Sequence, residues 1–229
     1  MKKNLFLTPA AVVLGFAGFT LRGLLYRNYL EAGGLLHAST LSAALFVLAA
    51  ATVVLFATGV YGRDLRPVAV PGIVAAAGEG VFALSLAASA CLIPEGSLAV
   101  LQPVILPLGA VAATALFYGS ICTARRGETP FFAYALTVLY LCVYMLARYR
   151  IWSARPQIMD FAFDMLACVA ITLTAYHRCD SLCNAGRRKA VYFYSLCALA
   201  ACMTALARGE APWLYTGGAF FAATSRERQ

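Results

Sequence analysis

Seven apolar stretches, each close to the length of a membrane-spanning helix, constrain this chain more than anything else in it. They run 4–25, 38–61, 68–92, 98–122, 130–149, 157–177 and 189–207. A hydrocarbon core about 30 Å thick is crossed by about 20 apolar residues in a helix. Inside it, a helix satisfies its own backbone hydrogen bonds. An eighth stretch, Ala211 to Thr224, is shorter. It opens on Pro212, a residue suited to a first helical turn. It carries Trp213 and Tyr215, residue types that favour the membrane–water interface. The expectation is an all-α, polytopic integral membrane bundle of eight transmembrane helices. Seven spans plus a re-entrant or short eighth segment is the alternative. Connections are short, so 1–229 reads as a single transmembrane domain without a soluble domain.

Composition excludes the soluble classes. The chain is 62% hydrophobic and 12% charged, whereas soluble domains are about half apolar and about a quarter charged. Folded in water, it would lack the polar surface to cover itself. The net charge of +8 reads as topology and calls for no nucleic-acid partner. Lys and Arg collect in cytoplasmic loops. Eight spans with the N-terminus inside put Lys2, Lys3, Arg63, Arg66, Arg125, Arg126, Arg178, Arg187, Arg188, Lys189, Arg226 and Arg228 on the inner side. Arg22, Arg27, Arg148, Arg150, Arg155 and Arg208 fall outside, a ratio of 12 to 6. With seven spans the ratio is 10 to 8, which favours eight. The expected location is the cell or inner membrane, with both termini cytoplasmic. Lys2 and Lys3 ahead of an apolar run resemble a signal peptide, but no small-residue A-x-A site follows. An uncleaved first span is expected.

Ionisable residues inside a bilayer cost roughly 2.5–3.5 kcal/mol on insertion scales and hint at function. Glu79 lies at mid-span between Gly78 and Gly80. Asp160 and Asp164, four residues apart, share one helical face. Asp160 follows Pro156 closely enough to gain from a helix N-terminus, so Asp164 is the more informative of the two. Tyr140, Tyr144 and Arg148 share a face of the fifth span. Arg148, Arg150 and Arg155 break the charge trend. Pairing with Asp160 and Asp164 is one reason; snorkelling to headgroups beside Trp152 and anion recognition are others. Gln102-Pro103, Pro107 and Pro71-Gly72 interrupt helices, as broken helices do in many transporters.

On the eight-span topology Arg22, His37, Ser39, Thr40, Ser42, Gln102, Tyr144, Arg148, Asp160 and Asp164 fall in the outer half, and the inner halves look apolar. The leading expectation is therefore small-solute binding or transport through an outward-facing polar cavity. Its substrate site would be Glu79, Gln102, Tyr144, Arg148 and Asp164. Glu79 would be the proton- or ion-sensitive group, Arg148 and Asp164 the clamp, and Tyr144 the wall. The alternative is a non-catalytic scaffold, sensor or assembly subunit that binds other membrane proteins, with Ala198, Ala201 and Ala205 as a small-residue helix face. A water-filled pocket reaching Glu79 favours the first reading, and a packed core around a hydrogen-bonded Glu79 the second.

Other chemistry finds little support. His177, Cys179 and Cys183, with Asp180, are weak metal candidates, because H-x-C-x3-C is not a usual zinc spacing. The remaining cysteines read as small core hydrophobes. The only lysines are Lys2, Lys3 and Lys189, which excludes a mid-membrane retinal Schiff base. No P-loop, H-E-x-x-H or G-x-S-x-G motif is present. No cofactor is implied, and a membrane enzyme acting on lipid, for which only the His177–Cys183 cluster comes near a rim, is the least supported reading. The expected partners are the lipid bilayer, a small solute, and another membrane subunit or energising partner.

Overall fold

The computed structural model describes residues 6–31, 40–62, 72–92, 102–126, 129–153, 161–183, 188–207 and 211–225. Among them there are eight helices and no strand. They are α1 (Leu7–Glu31), α2 (Thr40–Tyr61), α3 (Gly72–Cys91), α4 (Gln102–Arg126), α5 (Phe131–Ser153), α6 (Ala162–Cys183), α7 (Arg188–Ala205) and α8 (Pro212–Thr224). The expected all-helical bundle is what forms.

Five helices, α1 to α5, are long and apolar enough to cross a membrane. Their outward faces are covered with large apolar side chains; Val13, Val47, Ile73, Leu84 and Leu146 are 64–76% exposed. Soluble monomers rarely expose contiguous apolar patches beyond a few hundred Å², so this surface suits lipid.

The last three helices fall short of that standard, the apolar parts of α7 and α8 in length and α6 in its charged residues. Among the described residues α7 has no exposed large apolar side chain. It packs against α1, α2, α6 and α8. A helix surrounded by other helices need not be as apolar as one facing lipid. Accordingly, α6 carries Asp164, His177, Arg178 and Asp180, and α7 carries Ser195 and Thr204.

Helices consecutive in the chain alternate in direction. Leu7 of α1 meets Gly59 of α2, Gly109 of α4 meets Ala90 of α3 and Tyr140 of α5, and Gly78 of α3 meets Thr224 of α8. His177 of α6 stacks on Tyr194 of α7 with ring centroids 4.6 Å apart. The bundle thus has a near end, where α1, α3, α5 and α7 begin, and a far end, where they finish. Close approach depends on missing side chains. A Cβ on Gly18 would lie 2.2 Å from Thr204 Oγ1, and one on Gly217 2.0 Å from Ser85 Oγ. Small residues let helix backbones meet in this way.

The eighth helix is short. Its 13 residues span about 20 Å at 1.5 Å per residue, less than the hydrocarbon thickness. It lodges against α3, α6 and α7. Pro212 occupies its first turn as expected. Trp213 is exposed, but Tyr215 is 1% exposed. Tyr215 is therefore a core residue and not the interface anchor its type suggested.

Candidate functional site

The ionisable residues gather in two buried clusters. At the near end Glu79, 1% exposed, sits about two turns into α3. Thr123 Oγ1, from the last turn of α4, donates to Glu79 Oε2 at 2.8 Å. Thr129 Oγ1, just before α5, donates to Oε1 at 3.1 Å. The Tyr134 hydroxyl, from the first turn of α5, donates to the same oxygen. Thr123 and Thr129 also bond each other at 2.6 Å. Phe221 of α8 roofs this group, 4.8 Å from Phe82 and 6.2 Å from Tyr134 between ring centroids. Donors from two helices and a connection converge on one carboxyl group, which ties α3, α4 and α5 together.

At the far end Asp164 is fully buried and Arg22 is 5% exposed. Arg22 Nη2 forms an ion pair with Asp164 Oδ2. Arg22 Nη1 donates to the carbonyl oxygens of Ala205 at 3.2 Å and Thr204 at 3.4 Å, in the last turn of α7. That is the negative end of a helix dipole and suits a cation. The guanidinium also faces the Phe163 ring at 5.7 Å. Asp164 Oδ1 is buried without a full hydrogen bond, with Tyr215 beside the carboxylate.

Of the five residues expected to line one cavity, Tyr144, Arg148 and Asp164 gather around Cys168 and Tyr215 at the far end, and Glu79 stands apart from them. Tyr134 touches Glu79, and Arg148 lies 14 residues further along α5, about 21 Å away by helix rise. Arg148 Nε donates to the Tyr144 hydroxyl at 3.0 Å, its guanidinium 5.3 Å from that ring. Both are buried. Gln102, at the start of α4, reaches the level of Arg148 but is exposed. The ion partner of Asp164 is Arg22 from α1, not Arg148 across the α5–α6 hairpin. The expected apolar inner half is also not found, since the Glu79 cluster lies at the near end. His37, Ser39, Arg155 and Asp160 lie outside the described residues, as does the side chain of Trp152.

The metal candidates do not form a site among the described residues. His177 stacks on Tyr194, while Cys179 Sγ turns to the Phe131 carbonyl oxygen at 3.8 Å. The side chain of Cys183 lies outside the described set. A cavity of about 60 Å³ opens between α1, α2, α6 and α7, lined by Gly18, Leu48, Ala49, Phe163, Ala201 and Thr204 among others. Its wall is almost wholly apolar. Of the expected partner face on α7, Ala198 and Ala205 are fully buried inside the bundle, and only Ala201 borders this cavity.

Sequence reasoning singled out Glu79 and Asp164 but missed their partners Thr123, Thr129, Tyr134 and Arg22. Threonine and tyrosine are common in membrane helices, and no local spacing marks these four. No family model, curated protein or solved structure matches the chain.

Proposed function

We propose that this chain is a non-catalytic helical membrane protein that acts by lateral contact within the bilayer, as a scaffold, sensor or assembly subunit. The observation that carries this reading is the enclosure of Glu79. Its carboxyl group is buried and fully engaged by three hydroxyl donors. A solute pathway would need that group to face water, and interhelical hydrogen bonds of this kind serve as membrane-bundle glue. The apolar character of the cavity between α1, α2, α6 and α7 supports the same reading. The excess of basic residues expected at the near end supports a cytoplasmic orientation for that end.

Thiol accessibility tests it. Thr123→Cys, in a background stripped of native cysteines, puts a reporter beside Glu79. A small charged methanethiosulfonate reagent should label it as slowly as a protein keeping only buried Cys168. Labelling as fast as at exposed Cys91 would mean that water reaches Glu79, and the proposal would fail.

Solute binding is the second reading, and Asp164 favours it. One oxygen of this fully buried carboxylate lacks a full hydrogen bond, with only the Tyr215 hydroxyl close to the group beside Arg22. Asp164→Asn should then abolish uptake into proteoliposomes while insertion persists. Equal flux in the variant removes this reading.

A further inference from the structure

Helices α2 and α6 both pack on α7, yet among the described residues they are not packed against each other along their length. They meet near the far end through the Phe46 and Phe163 rings, with centroids 5.2 Å apart. From that bridge toward the middle of the bundle a slot opens between them, which is the cavity of about 60 Å³. Its floor includes Cys197 and Ala201 of α7, and its lips are Val53 of α2 and Leu166 of α6. Those lips are 42% and 41% exposed on the outer surface. The slot therefore opens sideways, toward lipid. It follows α6 from Phe163 to Ala170, about 10 Å by helix rise and about a third of the hydrocarbon thickness.

The walls offer an occupant nothing polar. Thr52 Oγ1 donates to the Leu48 carbonyl oxygen at 2.7 Å, and Thr204 Oγ1 to that of Ala200 at 3.0 Å. Both hydroxyls are thus engaged within their own helices. The Cys197 thiol behaves as a small hydrophobe. Water in such a space lacks the polar partners that would hold it. The volume also selects the occupant. About 60 Å³ is about twice one water's share of the liquid. A partner helix, about 10–12 Å across with its side chains, is far too wide to enter. A hydrocarbon chain one carbon wide is not.

Inside a bilayer, packing and not the hydrophobic effect decides what lies against a helix. An empty slot forfeits the dispersion contacts of its lining, and a chain that enters regains them. We propose that the slot between α2 and α6 is a binding site for one acyl chain of a membrane phospholipid, seated against Cys197 and Ala201 of α7. The site rests on the membrane setting of the bundle and does not depend on the lateral-contact reading.

The test reconstitutes the full chain in phosphatidylcholine vesicles doped with a phosphatidylcholine that carries a diazirine on its acyl chain. After illumination, adducts are mapped by peptide mass spectrometry. Lipid at the outer surface labels exposed side chains such as Leu84 and Leu146, which serve as the reference. An occupied slot adds adducts at Cys197 or Ala201 of α7, a helix with no exposed large apolar side chain among the described residues. Ala201→Phe fills the slot from its floor. It should abolish the α7 adducts and leave those at Leu84 and Leu146 unchanged. If that variant does not fold, Ala49→Leu fills the slot from α2 and should do the same. No α7 adduct in the wild type, or α7 adducts undiminished in the filled variant, overturns the proposal. A disulfide-linked Cys197 dimer formed with copper phenanthroline, in place of the lipid adduct, assigns the slot to a second copy and overturns it as well.

Discussion

Breaking the Arg22–Asp164 pair should be among the most damaging changes available to this protein, and the two halves should not cost the same. Removing one member of a buried ion pair costs about 3–5 kcal/mol, because the survivor is left as an uncompensated charge. Arg22→Met strands a carboxylate with no surface exposure, whose Oδ1 already lacks a hydrogen bond. Its cost belongs near the top of that range, at about 5 kcal/mol. Asp164→Asn strands a guanidinium that keeps two α7 carbonyls, at 3.2 and 3.4 Å. Its cost belongs near the bottom, at about 3 kcal/mol. Losing both charges together removes the stranded ion, so the double variant should cost no more than about 3 kcal/mol, well short of the sum. Unfolding by SDS titration in mixed micelles measures all four corners of the cycle. Single variants within about 1 kcal/mol of wild type, or a double variant equal to the sum, would refute a buried, coupled pair.

At the near end, Glu79→Ala removes the acceptor of three hydroxyl donors and should cost about 3–5 kcal/mol in the same assay, with Glu79→Gln costing less because its carbonyl still accepts. Gly109→Ala would set a Cβ 2.6 Å from Ala90 Cβ and 2.8 Å from the Tyr140 ring; overpacking of this sort should lower stability by about 1–3 kcal/mol, measured by Tm. In native micelles a maleimide should modify exposed Cys91 rapidly and leave buried Cys168 and Cys202 unmodified until SDS unfolds the bundle, as read by intact mass.

Much of the architecture was legible in the residues. Runs of apolar residues near 20 long specify helices in lipid, because each span satisfies its backbone within itself. Boundaries fell within about six residues of the helices found, and Pro212 marked the start of α8. The polarity of α6 and α7 was legible as well, but its meaning was not. Read locally, Asp164 and the arginines suggested a water-filled cavity. In the bundle, α7 is enclosed by α1, α2, α6 and α8, and polar groups there meet protein.

What the sequence determined by itself is the solvent, the helical class and the rough positions of the helices. Those follow from composition and length, which are local properties of each stretch. Only the tertiary structure decided which groups meet. Asp164 takes Arg22 from 142 positions away, and Glu79 takes hydroxyls from α4 and α5. Such pairings depend on the order of helices around the bundle and the rotation of each about its axis. Side-chain packing at contacts such as Gly18–Thr204 and Gly217–Ser85 sets both, and hydropathy carries no record of either.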